Sequence, residues 1–229
     1  EVGSEILDLV DAGMLFSEDL PEAPPRPETV VKALCLNVAH DCNLRCTYCF
    51  ASTGDFKGDR ELMPFEVAQA AVGFLLRASQ HRRQLEIDFF GGEPLLNWEV
   101  VRRTVEYAQA RAAEQGKSFR FTITTNGLGL TPEIEDFINE HMYNVVLSLD
   151  GRREINDRVR QTVTGNGSVY ELVVPKYQRL LQGRRGKSYY VRGTFTALNL
   201  DFAQDVAHLS DLGFSQISME PVVTPEDEA

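Results

Sequence analysis

From residue 33 onward, strand-like and helix-like segments alternate, and this alternation constrains the fold more than any other property of the chain. Apolar runs bounded by polar or turn residues predict strands at 33–39, 85–90, 119–124, 144–149, 189–195 and 215–220. Helical patterns lie between them. Pro64 opens the first helix at a turn where a missing N–H costs nothing. Val67, Ala71, Phe74, Leu75 and Ala78 give that helix one apolar face, and Trp98, Val101, Val105, Ala108 and Ala112 mark the second. Thr131-Pro132-Glu133 is an N-cap signal for the third. The fourth, 170–182, contains Pro175, which must start, kink or interrupt it. The fifth covers 201–212 and stops at Gly213.

Five strand–helix units and a sixth strand, joined by crossovers of this length, require parallel strands and an α/β fold. An open doubly wound sheet and a complete or partial barrel both satisfy the pattern. In either, ligands bind at the carboxyl ends of the strands. Residues 1–30 read differently. Glu5-Ile6-Leu7-Asp8-Leu9-Val10 forms a short amphipathic helix, and Pro21-Glu22-Ala23-Pro24-Pro25-Arg26-Pro27 a stiff linker. The sequence has no initiator Met, and it follows its sixth strand with an acidic tail, Pro225-Glu226-Asp227-Glu228, rather than a sixth helix. Truncation at both ends is the expectation.

A net charge of −11 argues against nucleic acid as a partner, because phosphate binding needs a basic face. Arg82-Arg83 and Arg184-Arg185 are short basic stretches that read as solvated charges, the second in a Gly-flanked loop that could meet an acidic peptide. No apolar run reaches the roughly 18 residues of a membrane span, and no signal-peptide pattern opens the chain. The expectation is a cytoplasmic protein without a membrane partner.

Three of the four cysteines fall within Cys42-Asn43-Leu44-Arg45-Cys46-Thr47-Tyr48-Cys49, directly after the first strand. Dense cysteines in such a protein more often bind metal or do redox chemistry than form a disulfide framework. Three thiolates on one loop can converge on an iron–sulfur cluster and leave one iron free for a ligand. A zinc site is the alternative, with His40 as fourth ligand through a tight local wrap, since no second cysteine pair exists. Cys35, inside the first strand, reads as a buried core residue.

The other strand ends carry further signals. Gly91-Gly92-Glu93-Pro94 ends the second strand with a flexible backbone and a carboxylate suited to an ammonium group. Thr124-Thr125-Asn126-Gly127 ends the third, and Ser148-Leu149-Asp150-Gly151 the fourth. Arg160 and Arg158 offer guanidinium groups that can clamp a carboxylate.

The cysteine spacing, with an aromatic residue before the last cysteine, resembles the signature of the radical S-adenosylmethionine superfamily. The resemblance covers roughly residues 32–221 and implies a partial parallel (β/α)6 barrel over residues 31–229. It implies a [4Fe–4S] cluster on Cys42, Cys46 and Cys49, whose free iron chelates the methionine moiety of S-adenosyl-L-methionine. It implies that Gly91, Gly92 and Glu93 hold the cofactor's amino group and that Thr124 and Asn126 lie beside the cofactor. It directs Ser148 at the ribose, with Asp150 supporting it or facing substrate, and brings Arg160 to the cofactor's carboxylate. Tyr48 would lie over the adenine, with Ile217 and Met219 walling it.

The longer stretches 32–42 and 49–56 are similar to the peptide-modifying branch, especially SCIFF-peptide maturases. In these, reductive cleavage of the cofactor yields a 5′-deoxyadenosyl radical that abstracts hydrogen from a ribosomally made peptide, leading to Cys-derived thioether crosslinks. The implied partners are a precursor peptide and a reductant protein such as flavodoxin or ferredoxin. Residues 1–30 would be the remnant of a peptide-recognition module plus linker. Every cysteine lies before residue 50, so a C-terminal auxiliary-cluster domain is absent from this sequence. A formylglycine-forming maturase, a maturase crosslinking Cys to acidic residues, and a non-catalytic zinc-binding α/β module are the alternatives.

Overall fold

The computed structural model describes residues 2–15 and 29–223, so the proline-rich stretch 21–27 and the acidic tail lie outside the described residues. The chain divides into two compact units, Glu1–Val30 and Val31–Ala229. In the first, α1 (Val2–Asp11) ends in a turn where Gly13, at φ 67°, donates to the Val10 carbonyl.

The second unit follows the alternation. Its elements are β1 (Ala33–Ala39), β2 (Leu44–Cys46), α2 (Phe65–Ala78), β3 (Gln84–Gly91), α3 (Trp98–Ala113), β4 (Ser118–Thr125), α4 (Pro132–His141), β5 (Asn144–Ser148), α5 (Arg153–Val159), β6 (Arg160–Thr162), α6 (Val169–Gly183), β7 (Tyr190–Phe195), α7 (Phe202–Asp211) and β8 (Ile217–Pro221). Six strands form one sheet in the order β1-β3-β4-β5-β7-β8, every neighbouring pair parallel. Each strand is laid beside the one before it, and the order never reverses. Right-handed crossovers then put the helices that connect these strands on the same face. This excludes the doubly wound arrangement, which needs a reversal, and selects the partial barrel. Among the described residues, β1 and β8 pair with no further strand of the sheet.

Leu85, Ile87, Phe89, Phe121, Ile123, Val145, Leu147 and Val191 are buried in one apolar core with residues of the helices. The helix faces follow the 3.6-residue period, with one offset. In α2 the buried stripe is Ala68, Val72, Leu75 and Leu76, whereas Val67 and Phe74 are exposed. Pro64 stands one position outside the helix, as its N-cap. In α3 the expected Val101, Val105, Ala108 and Ala112 are buried, joined by Thr104, which donates to the Val100 carbonyl. Thr131 caps α4 by accepting from the Ile134 amide, and Ser168 caps α6, which runs on through Pro175.

Two further expectations are corrected. Cys35 is exposed, because strand alternation sends Leu36 and Val38 into the core and leaves Cys35 beside Asp88 on the other face. Arg184 is not a solvated charge. It is buried and donates to the carbonyls of Ile138, Met142 and Tyr143, closing the end of α4 against the loop after α6. Sequence patterns gave no sign of α5 or of the antiparallel β2–β6 ladder, which sets Cys46 opposite Arg160.

Candidate active site

All six parallel strands deliver their carboxyl ends to one side, and a cavity of about 520 Å3 opens there. Its wall includes Cys42, Cys46 and Cys49 from the loop after β1, Gly91, Gly92 and Glu93 after β3, Thr124, Thr125 and Asn126 at β4, and Ser148 at β5. Tyr48 and Arg160 complete this half, and Leu44, Phe50, Ala51 and Phe90 give it an apolar lining.

Two glycines seat the cysteine loop. Gly91 has φ 130°, and a Cβ there would fall on the Ala39 carbonyl. A Cβ on Gly92 would fall on the Asp41 carbonyl. Without side chains, the Gly92 amide reaches the Ala39 carbonyl at 2.8 Å and the Glu93 amide reaches that of Asp41 at 2.9 Å. The backbone freedom expected to admit a ligand thus also brings two loops together. Beyond Cys49 the chain turns through left-handed backbone at Ser52, Thr53, Phe56 and Lys57. Side-chain-bearing residues rarely adopt that conformation, and it marks a strained loop at the site.

The cysteines are half-buried and near enough to repel one another's thiolates. Burial pushes the Cys42 thiol up to about 12, despite a bond from the Leu44 amide to its sulfur at 3.4 Å. Asn126 Nδ2 also donates to Cys42 Sγ, at 3.6 Å. Burial raises the Cys46 thiol as well, opposed by the positive charge of the nearby Arg160 guanidinium. Thiols so desolvated ionise only beside a cation, so this donor set suits a metal. Among the described residues, no three His, Cys, Asp or Glu side chains converge on a single-ion site. An iron–sulfur cluster makes no such demand, because its cysteines bind separate irons.

Glu93 is 1% exposed. Its Oε1 accepts from the Leu95 amide at 3.0 Å and the Thr125 hydroxyl at 2.7 Å, and its Oε2 from the Asn126 amide at 2.7 Å. Burial pushes this carboxyl up to about 7 against those three bonds. A carboxylate has about four acceptor sites, so Oε2 retains capacity for one more donor. Asn126 is tied through Nδ2 to Asn43 Oδ1 at 2.8 Å, which joins the end of β4 to the cysteine loop.

Asp150 and Met219 are not part of the wall. Asp150 is fully buried behind Arg160. Its Oδ1 accepts from the Thr194 amide at 2.8 Å and from an Arg160 terminal nitrogen at 3.0 Å. Its Oδ2 accepts from Arg160 Nε at 2.8 Å and the Tyr48 hydroxyl at 2.6 Å. With both oxygens so engaged, Asp150 is not available to substrate. Arg160 lines the cavity while its fork holds the Asp150 carboxylate, where the resemblance directed it to the cofactor's carboxylate. The Met219 sulfur occupies the space that a side chain on Gly193 would fill, which turns it off the cavity. Sequence reasoning missed Arg192, Thr194 and Glu220, which also line the cavity. Their only signal is the two-residue alternation of β7 and β8.

The profile of the Radical SAM superfamily matches residues 36–173. An uncharacterized protein of Methanocaldococcus jannaschii is 31% identical over 83% of this chain and 62% of its own length. The radical SAM cyclopropyl synthase TigE of Paramaledivibacter caminithermalis is 27% identical over 80% of this chain and 41% of its own. A cysteine-type anaerobic sulfatase-maturating enzyme of Clostridium novyi is 30% identical over 58% of this chain and 36% of its own. The chain therefore spans less than two thirds of these relatives. The fold is shared with native anSMEcpe with bound AdoMet and Cp18Cys peptide, at a TM-score of 0.72, 21% identity, and coverage of 86% of this chain and 52% of that one.

Proposed function

Because the chain belongs to the Radical SAM superfamily, whose enzymes use a [4Fe–4S] cluster and S-adenosylmethionine, we propose that it is the core of a cytoplasmic enzyme that modifies a ribosomally made peptide. The observation that carries this reading is the meeting of Cys42, Cys46 and Cys49 with Glu93, Asn126 and Ser148 on one cavity. A relative named for sulfatase maturation and a fold neighbour with bound AdoMet and peptide support the substrate class.

In this reading the three cysteines hold the cluster. Together with S-adenosylmethionine it supplies hydrogen-atom abstraction. The chain's own residues position and shield the reaction. Glu93 presents its open Oε2 to the methionyl ammonium. Ser148, whose hydroxyl makes no bond to another described residue, meets the ribose. Arg160 braces the wall beside Cys46. The apolar Leu44, Phe50, Ala51 and Phe90 limit water at the site, which protects a reactive species from quenching. The product assigned is a Cys-derived thioether, and the reductant a flavodoxin- or ferredoxin-type protein. Residues 1–30 are read as the end of a peptide-recognition module.

The test is anaerobic reconstitution with iron and sulfide, followed by reduction in the presence of S-adenosylmethionine and a cysteine-containing peptide. 5′-Deoxyadenosine together with a peptide lighter by two hydrogens supports the reading. 5′-Deoxyadenosine with an unaltered peptide overturns the thioether assignment. Stoichiometric zinc with no bound iron overturns the whole.

A further inference from the structure

The cavity has a second sector, built by β7 and β8, which holds none of the cofactor contacts expected from the sequence once Met219 lies against Gly193. Arg192, Thr194 and Glu220 line it. In the parallel register, Arg192 lies beside Ser218 and Thr194 beside Glu220. Arg192 donates from a terminal nitrogen to Glu220 Oε1, and the Ser218 hydroxyl donates to the same oxygen at 3.3 Å.

Stability does not account for this pair. Its side chains are 48% and 49% exposed, and ion pairs so placed contribute only about 0–1 kcal/mol. The inner faces of parallel strands are ordinarily packed with branched apolar residues. Charges at the strand tips of a ligand cavity are better explained by what the cavity receives.

The hydrogen-bonding inventory decides the sign of that ligand. A guanidinium has five N–H donors, and among the described residues that of Arg192 donates only to Glu220. The other guanidinium on the cavity, Arg160, is engaged by Asp150. Of the two carboxylates, Glu93 is enclosed by three donors, and Oε1 of Glu220 already receives two. An incoming anion meets a guanidinium with most of its N–H donors uncommitted, whereas the open Oε2 of Glu93 goes to the methionyl ammonium in the reading above and Glu220 is held on Oε1 by Arg192 and Ser218. A planar guanidinium held on one side also suits a carboxylate on the other.

We propose that Arg192, held in place by Glu220 and Ser218, binds a carboxylate side chain of the substrate peptide close to its reacting residue. This rests on the peptide reading above. Arg192 thereby selects peptides with Asp or Glu at that position, and Glu220 is a positioning residue.

The experiment measures binding to the cluster-loaded protein in the presence of S-adenosylmethionine. The probes are end-blocked pentapeptides Gly-Cys-Gly-Asp-Gly and its counterparts with Asn or Lys in place of Asp, with GTP as a separate anion. The expected result is an Asp peptide bound about tenfold tighter than the Asn peptide, the worth of one charge-assisted contact. Arg192→Gln removes that preference, and Arg192→Glu moves it to the Lys peptide. Equal binding of the three peptides by the unaltered protein overturns the proposal and leaves the peptide reading standing. If no peptide binds, whether or not GTP does, both fall. If Arg192→Gln instead abolishes S-adenosylmethionine binding, Arg192 serves the cofactor and the proposal is wrong.

Discussion

Arg160 and Asp150 form a two-point ion pair, with Nε to Oδ2 at 2.8 Å and a terminal nitrogen to Oδ1 at 3.0 Å, between side chains that are 10% and 0% exposed. The pair joins β5 to the start of β6. Through Tyr48 and Thr194 it extends to the cysteine loop and to β7. It is a structural brace in the wall where the sequence suggested two separate ligand contacts.

Replacing Asp150 by Asn leaves the Arg160 charge buried without its partner. Breaking a buried pair from one side typically costs about 3–5 kcal/mol. Chemical denaturation of the Asp150→Asn protein is expected to show a loss of that order. The double variant Asp150→Asn/Arg160→Met is expected to recover part of it, because no unpaired charge remains. Additive losses would show that the two side chains act independently.

Glu93 carries a pH dependence of definite sign. Burial holds its carboxyl at about 7 in the fold, above the ordinary 4.5 of a glutamate. Folding therefore favours the protonated form, and the stability it contributes below 4.5 is lost as pH rises through about 7. Binding of an ammonium group runs the other way, since it needs the carboxylate. S-Adenosylmethionine affinity is expected to fall as pH drops through about 7. Titration calorimetry on Glu93→Gln should show weaker binding with that dependence gone. Retention of the pH dependence in the variant would assign it to another group.

Gly91→Ala and Gly92→Ala test the seating of the cysteine loop. Each new methyl group meets a backbone carbonyl, which cannot rotate away as a flexible side chain could. Overpacking of this kind costs about 1–3 kcal/mol. Both variants are expected to melt earlier and to bind less iron per chain after reconstitution. Unchanged iron content with a lowered melting temperature would confine the glycines to a stability role.

The four cysteines separate into three and one. Cys42→Ala, Cys46→Ala and Cys49→Ala are each expected to abolish cluster absorbance. Cys35→Ala, at an exposed position on the face of β1 opposite Leu36 and Val38, is expected to leave it intact and to alter stability by no more than about 0.5 kcal/mol. Loss of the cluster in Cys35→Ala would require a different ligand set.

What the sequence determined by itself was local. Apolar periodicity over stretches such as 85–90 and 101–112 marks strands and helices because the side-chain period belongs to the segment itself. The spacing of Cys42, Cys46 and Cys49 places three thiols on one loop whatever surrounds it. Strand ends parallel to one another then collect Glu93, Asn126 and Ser148 on the same side as the cysteines. The tertiary structure decided what depends on partners distant along the chain. The β2–β6 ladder pairs Leu44 with Thr162 and Cys46 with Arg160 across more than a hundred residues, and neither three-residue strand has a pattern of its own. Whether Asp150 met solvent or a buried guanidinium, whether Met219 faced a ligand or filled the space over Gly193, and whether Arg192 stood on a cavity wall were settled by neighbouring strands. Burial and pairing belong to the packed fold, and no run of residues encodes them alone.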